Sequence, residues 1–208
     1  MMPDFEITSE SVVYKRYLTV YHRDVKLWQA SSDDAGDHAC DTVSFDVVGH
    51  PRCSFQYSVV FPFHSSTKDE EAKVTIIREY CQGPNAMLFN LPTGGYDEKK
   101  HEGSLETCAR RELSEEAHLR NGELVRLIPQ GNDGLWEVKW CRNRFTPYVC
   151  LDPEVDPDPG CRDTEERIEI LKVGMSELRK IMRSGEMMLP SLTTCFLALE
   201  ELQKRGLI

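Results

Sequence analysis

In the first half of the chain, apolar and β-branched residues alternate with polar residues in short runs that end at turn-forming residues. Runs of this kind are typical of β-strands, and they predict strands over 12–20, 25–28, 42–48, 55–63, 74–80 and 86–90. The polar residues at 22–24 separate the first two predicted strands.

The second half mixes two periodicities. A helical pattern covers 105–119, further strand-like runs cover 124–128, 135–140, 145–151 and 168–173, and helical patterns return at 176–183 and 185–205. Strands, one helix, more strands and two final helices favour an α/β fold, with a mixed sheet and helices on both of its faces.

The predicted helix over 105–119 carries a cluster of carboxylates. Glu112, Glu115 and Glu116 follow the i, i+3, i+4 spacing and are therefore neighbours on one surface. On a helical wheel, Glu112 and Glu116 point into the middle of an apolar sector about 140° wide. That sector is formed by Leu105, Cys108, Ala109 and Leu113.

Such carboxylates need a counter-charge. Two of them about 5.5 Å apart repel by roughly 3 kcal/mol at an effective dielectric constant near 20. Arginine partners would remove this cost, and so would a hard cation such as Mg²⁺, which prefers oxygen ligands. The alternative is that the helix register is misjudged and these glutamates are ordinary surface groups.

A glycine turn lies upstream of the helix. The run Leu91-Pro92-Thr93-Gly94-Gly95-Tyr96-Asp97 follows the apolar stretch 86–90. Pro followed closely by two Gly marks a tight turn and permits close approach of the backbone. Ser104 then offers an N-cap for the helix.

This arrangement resembles the Nudix box of the Nudix hydrolases, G-x5-E-x7-R-E-U-x-E-E-x-G-U, in which U is aliphatic. Gly95 stands at the opening glycine, residues 111–116 match the core of the box, and Leu119 takes the closing aliphatic position. The sequence also departs from the pattern. The loop is two residues longer, Gly103 replaces the loop glutamate with Glu102 displaced by one, and His118 replaces the late glycine.

The resemblance extends over about 12–205 and is strongest to the ADP-ribose and ADP-sugar pyrophosphatase branch, at 73–80, 91–94, 165–170 and 185–205. It implies the Nudix α/β/α sandwich, with a mixed sheet and an N-terminal antiparallel strand region. Residues 1–54 would form that region, a possible dimerisation element of a homodimer, and residues 55–208 the Nudix hydrolase domain.

For the chemistry, the resemblance implies Mg²⁺-dependent hydrolysis of the pyrophosphate of a nucleoside diphosphate-sugar, with Mn²⁺ as a possible substitute. The products would be a nucleoside monophosphate and a sugar phosphate. Glu112 and Glu116 would bind the metal, together with the carbonyl of Gly94, and Glu115 would be a further ligand or orient the attacking water. The general base would come from the acidic loop after the box, with Glu166 as the first candidate and Glu165 as the second. The other interpretation of the loop 152–164 is a solvated acidic segment without a role.

Three further residues are candidates for substrate binding. Arg78 could contact phosphate oxygens, Gly95 would lie beside them, and Trp28 could stack on a nucleobase. The ordinary interpretations are a surface arginine and a tryptophan in the core or at a dimer interface. The segment 99–101 is expected to be a solvated loop tip.

Composition narrows the choice of partners. A formal net charge of −10 disfavours binding to nucleic acid. The resemblance implies a small-molecule nucleotide-sugar as the partner. No apolar run is long enough to span a bilayer. The eight cysteines show no C-x-x-C spacing, which favours a reduced, cytoplasmic protein over a disulfide-bonded one.

Two other functions stay open. The chain could be a catalytically decayed Nudix-fold module that binds nucleotides and regulates. It could also be a Nudix hydrolase for another nucleotide, such as a dinucleotide or a nucleoside triphosphate.

Overall fold

The N-terminal residues form a separate three-stranded sheet. The computed structural model describes residues 5–28, 40–101, 103–162 and 167–208. The strands β1 (Phe5–Lys15), β2 (Thr19–Trp28) and β3 (Cys40–Gly49) are antiparallel and lie in this order.

The separation of two strands predicted at 22–24 is wrong, because β2 runs through these residues without interruption. Their polar groups are satisfied across the sheet instead. Arg23 Nε donates to Glu10 Oε2 at 2.7 Å, and the Asp24 carboxylate accepts from the hydroxyls of Ser9 and Ser44. The chain turns earlier, where the Arg16 amide donates to the Leu18 carbonyl.

The rest of the chain builds a mixed sheet after a 3₁₀ helix at Pro51–Cys53. Its elements, in chain order, are β4 (Gln56–His64), β5 (Lys73–Cys81), β6 (Ala86–Asn90), β7 (Thr93–Gly95), α1 (Leu105–Ala117), β8 (Leu119–Arg120), β9 (Glu123–Arg126), β10 (Leu135–Trp136), β11 (Arg144–Leu151), β12 (Glu154–Val155), β13 (Ile168–Gly174), α2 (Met175–Ser184) and α3 (Leu189–Lys204). The main order is β10-β11-β4-β5-β13, with β6 beside β5, β7 beside β4 and β9 beside β11, while β12 and β8 pair separately. The β11–β4 pair is parallel and the other pairs are antiparallel.

Helices cover both faces of this sheet. Successive residues of a strand point to opposite faces, so Val59 and Phe61 pack with α2 and α3, whereas Val60 packs with α1. The apolar residues that α1 contributes to its side are Ala109, Leu113 and Ala117. The structure therefore has the three layers of the predicted α/β/α sandwich.

Helix α1 begins at Leu105, as its sequence predicts, and ends at Ala117, two residues before the predicted end. The Ser104 hydroxyl accepts from the amides of Glu106 and Thr107, which are among the unpaired donors of the first turn. The C-cap residue, His118, adopts the left-handed conformation with φ 55° and ψ 40°. Glu116 is 4% exposed and Glu112 is partly buried, so the carboxylate-bearing side of α1 faces the protein. No helix in the described ranges is long and apolar enough to cross a membrane.

Candidate active site

A polar cavity of about 370 Å³ opens beside α1. Its walls come from the β7 loop, the loop before α1, the helix itself, the 3₁₀ helix and Cys161. Three carboxylates and three cationic side chains line it: Asp97, Glu112, Glu115, Arg52, Lys100 and Arg111.

The glycine turn and Glu112 meet at the centre of this wall. A Cβ atom built on Gly94 would lie 1.9 Å from Cδ of Glu112. Only glycine therefore lets the carboxylate lie against the β7 backbone, next to the Gly94 carbonyl. This close approach supplies the physical reason for the glycine that the sequence places there.

The other two glutamates of the cluster are held in different ways. Glu115 lines the cavity, and its Oε1 accepts from Arg111 Nε at 2.7 Å. Glu116 is buried, and its Oε2 accepts from the amide of Thr93 at 2.6 Å. Two glutamates one helical turn apart therefore contact the glycine turn. Glu116 accepts a hydrogen bond from Thr93, the residue before Gly94, and Glu112 packs on Gly94 itself.

The acidic loop packs against the C-terminal half of α1 in its described part, 152–162. The Ser114 hydroxyl donates to Asp156 Oδ2 at 2.7 Å. The Arg162 guanidinium donates to the carbonyls of Glu115, Glu116 and Ile168 at 3.0–3.1 Å. Two of these carbonyls belong to the last turn of the helix, where carbonyls lack helical partners. Glu165 and Glu166, the predicted general-base candidates, lie outside the described residues.

His101 and Cys108 join Glu112 in an arrangement that the sequence did not indicate. One potential metal-ligating atom from each of the three lies within 4.8 Å of the others. The expectation of a solvated loop tip is wrong for His101, which is 3% exposed. A tight turn tucks its ring inward, since the amides of Lys100 and His101 both donate to the Asp97 carbonyl.

Burial disfavours the charged forms of both His101 and Cys108. Burial lowers the pKa of His101, whose Nδ1 accepts from the Asp97 amide at 2.9 Å. Burial raises the pKa of the Cys108 thiol to about 12. That thiol donates to the Gly94 carbonyl at 3.3 Å, so it touches the backbone oxygen that the resemblance assigns to the metal.

The N-terminal segment closes the cavity from the other side. His50 Nδ1 is in hydrogen-bond contact with the Cys53 thiol, and the Tyr17 ring packs on the His50 ring with centroids 4.5 Å apart. These residues were not predicted, because they lie far from the box in sequence and belong to no motif. The Pro at the start of the 3₁₀ helix was the only local signal.

Two predicted substrate contacts lie elsewhere. Arg78 forms an ion pair with Glu169 at 3.8 Å and lies over the Phe89 ring. Since it shares a strand face with Ile76, it lies on the side of α2 and α3, across the sheet from α1. Trp28 ends β2 and lines none of the cavities that we describe.

The carboxylates and the Gly94 carbonyl offer oxygen donors, and such donors fit a hard cation such as Mg²⁺ or Mn²⁺. Glu112 packs on Gly94, Glu116 accepts from the neighbouring Thr93 amide, and Glu115 lines the same cavity.

Comparisons with known proteins agree with this geometry. Residues 60–186 match the family model of the NUDIX domain, which confirms the predicted family and, with it, the predicted class of enzyme, a Nudix pyrophosphohydrolase. No curated protein sequence matches the chain. The fold is similar to the crystal structure of an ADP compounds hydrolase, with a TM-score of 0.72, 16% identity, and coverage of 100% of this chain and 99% of that one. It is also similar to the NUDIX domain of Shewanella oneidensis NrtR in complex with ADP ribose, with a TM-score of 0.53, 19% identity, and coverage of 71% and 87%. These two likenesses confirm the predicted fold class.

Proposed function

The chain belongs to the NUDIX family, and on this premise we propose that it hydrolyses the pyrophosphate of a nucleoside diphosphate-sugar of the ADP-ribose or ADP-sugar type. The products are a nucleoside monophosphate and a sugar phosphate.

The observation that carries the proposal is the contact of Glu112 with the Gly94 backbone inside a cavity of mixed charge. A carboxylate wall binds a divalent cation, and cationic side chains on the same cavity neutralise phosphate oxygens. Arg52 and Lys100 provide such cations. A pyrophosphate that carries a divalent metal needs both kinds of group at once.

Glu112 and Glu116 are the proposed metal ligands, with Glu115 and the carbonyl of Gly94 beside them. Bound Mg²⁺ or Mn²⁺ would supply charge neutralisation and a water of lowered pKa. Gly95, which lines the same cavity, brings the backbone close to the phosphates. Arg78 and Trp28 remain predicted substrate contacts, and this proposal makes no use of them, because neither lines this cavity.

Glu166 remains the first proposed general base, and Glu165 the second. Support comes from the residues on both sides of them. The Arg162 side chain donates hydrogen bonds to the carbonyls of Glu115, Glu116 and Ile168. Arg162 and Ile168, which flank the two glutamates in sequence, are therefore held near the end of α1. The Glu166→Gln variant should lose turnover far more than substrate affinity, whereas an equal loss in both would identify a structural residue.

The substrate class rests on two kinds of support. The family supplies the pyrophosphate chemistry. The two similar structures, an ADP compounds hydrolase and a domain complexed with ADP ribose, share the fold with this chain and favour an adenosine diphosphate compound.

We also propose that residues 1–54 form a dimerisation element. Every residue of β1 is exposed, including Phe5, Val12, Val13 and Tyr14, each more than half exposed. Several exposed apolar side chains on one strand are typical of an interaction surface, and a second copy of the chain would cover them. Light scattering after size exclusion distinguishes a dimer of twice 23.9 kDa from a monomer.

The proposed setting is a reducing compartment such as the cytoplasm. The seven cysteines for which the structure describes a side-chain state are all free thiols; four of them are buried and two are partly buried. Thiols persist in compartments that keep them reduced.

The deciding experiment offers the enzyme ADP-ribose, ADP-glucose, UDP-glucose, GDP-mannose, NADH and diadenosine polyphosphates, each with Mg²⁺ or Mn²⁺. Release of nucleoside monophosphate is expected from the ADP-sugars first. Turnover of a dinucleotide alone would reassign the substrate. No turnover of any compound at micromolar enzyme, with a melting temperature that Mg²⁺ does not raise, would leave a decayed module.

A further inference from the structure

A second cleft, with a volume of about 830 Å³, lies between the N-terminal sheet and the end of the main sheet. The proposed chemistry makes no use of it. The side chains that matter for its binding properties are Arg23, Phe55, Trp136, Lys139, Arg142 and Arg144.

The cleft is positively charged although the chain carries a formal net charge of −10. Arg23 and Arg142 share one carboxylate, that of Glu10, with contacts of 2.7 and 3.2 Å. Arg144 pairs with Asp133 at 3.1 Å. With Lys139 added, four cationic side chains face two carboxylates, and this excess favours an anionic ligand.

The cleft also has aromatic surfaces backed by guanidinium groups. Arg144 Cζ lies 3.8 Å from the centroid of the Trp136 ring, and Arg142 Cζ lies 4.3 Å from that of Phe55. Trp136 is nevertheless 60% exposed. Because Arg144 covers one face of the indole, the exposed surface includes the other face, which can accept a planar ring.

The cleft opens on the same face of the sheet as α1. Tyr57 and Phe145 pack with α2 and α3, so their neighbours Gln56 and Arg144 point to the opposite face. Gln56 pairs with Arg144, and Arg144 pairs with Trp136. These three side chains form one row across three strands, and all line the cleft.

This row leads to the proposed active site. Gln56 also lines a small cavity with Gly94 and Gly95, which continues into the carboxylate cavity. Gly95, Tyr57, Phe145 and Leu135 are cross-strand partners on four adjacent strands. Three strand spacings separate Gly95 from the Leu135–Trp136 strand, which is about 14 Å.

We propose that this cleft binds the nucleobase end of the substrate, with the base stacked on the open face of Trp136 and with the charges of Arg142 and Lys139 attracting the anionic nucleotide to the cleft. The inference rests on the proposed function, since it takes the pyrophosphate to lie at Glu112. It assigns base recognition to β10 and the turn after it, and not to the N-terminal Trp28.

The first test measures binding without catalysis. AMP is titrated into the protein in EDTA, and tryptophan fluorescence is recorded. Quenching is expected in the wild type and in Trp140→Phe, because Trp140 is equally exposed, at 63%, but does not line the cleft. In Trp136→Phe the quenching should be lost. Quenching that persists in Trp136→Phe, or is absent from the wild type, overturns the proposal.

The second test uses calorimetry. Stacking of a base on an aromatic side chain predicts that Trp136→Ala raises the dissociation constant of AMP by about 5- to 150-fold, and Trp140→Ala should change it less than about twofold. Ribose 5-phosphate should bind more weakly than AMP and should respond little to Trp136→Ala. Equal binding of both ligands would identify a general anion site and overturn the assignment of the base.

The third test separates this inference from the proposed function. Trp136→Ala should raise KM for the best nucleotide-sugar with little change in kcat. If AMP binds at Trp136 but no compound is hydrolysed, only the proposed function fails. If hydrolysis proceeds and KM is unchanged in Trp136→Ala, only this inference fails.

Discussion

The carboxylate cavity beside α1 and the cationic cleft at Trp136 lie on the same face of one sheet but have opposite character. The first presents Glu112 and Glu115 against the Gly94 backbone, whereas the second presents stacked guanidinium and indole groups. A groove whose side chains carry charge of one sign binds ligands of the opposite charge. A groove that carries both positive and negative side chains suits an anion with a bound cation, such as a metal-bound nucleotide.

The largest expected effect comes from removing the negative charge of Glu112 in the carboxylate cavity. Glu112→Gln should lower kcat/KM by at least about 100-fold, since even groups that only support a metal ligand are worth 10- to 100-fold. Initial rates with ADP-ribose and Mg²⁺ measure it. Glu106→Gln is the matched control, because Glu106 lies exposed on the same helix and pairs with the exposed Arg110 at 3.4 Å.

A second readout of this variant does not depend on turnover. Mg²⁺ should raise the melting temperature of the wild type and of Glu106→Gln, but not of Glu112→Gln. A shift that survives in Glu112→Gln would place the cation elsewhere, and the contrast between the two cavities would lose its basis.

The next effect tests the backbone side of the same cavity. Gly94→Ala inserts a Cβ 1.9 Å from Glu112 Cδ, so the carboxylate must move. Displacement of this size can lower kcat/KM by up to about 100-fold. Gly83→Ala provides the control, because a Cβ there meets no atom within 4 Å. Full activity in Gly94→Ala, with an unchanged fold by circular dichroism, would show that the contact has no catalytic importance.

The two regions also differ in how much of them the sequence predicts. Residues 91–116 supply the glycine turn and the three glutamates, and helical periodicity alone places Glu112 and Glu116 toward the protein. The cleft draws Arg23 from β2, Phe55 from the end of the 3₁₀ segment and Trp136 from β10. The parallel pairing of β11 with β4 brings Phe55 near Trp136, and backbone hydrogen bonds of Val48 with Trp140 and Arg142 join the N-terminal sheet to this segment. No local pattern encodes either contact.

The side of a sheet on which a residue lies is hard to predict for the same reason. Arg78 and Trp28, whose contacts with substrate stay predictions, are strand residues whose side depends on the register of distant partners, because successive residues of a strand point to opposite faces. His101 was expected in solvent because two lysines precede it, but the hydrogen bonds of its turn to Asp97 bury the ring. Segments whose partners are near in sequence were predicted well, and those whose partners are distant were not.

A smaller effect probes the cationic end. Lys139→Gln should raise KM for ADP-ribose by about 1.5- to 5-fold at low salt, the range expected for one exposed charge. At about 1 M salt the Debye length is near 3 Å, so the difference from the wild type should vanish. Lys180→Gln on α2, across the sheet, should not change KM at either salt concentration. A salt-independent increase in Lys139→Gln would mean that the side chain acts through packing and not through charge.

The smallest effect concerns the C-terminal end of α1, where His118 stands at the position of a glycine in the Nudix box. His118 holds φ 55° at the end of α1, a conformation that strains a residue with a Cβ more than it strains glycine. His118→Gly should therefore raise the free energy of unfolding by up to about 1 kcal/mol, measured by urea denaturation, whereas His118→Ala keeps the strain and should bring no gain. The rate should stay within about twofold of the wild type in both variants, because the backbone already has the conformation that glycine would adopt, and Arg162 already binds the carbonyls of Glu115 and Glu116. A large rise in kcat for His118→Gly alone would contradict this view and show that the substitution in the box had limited catalysis.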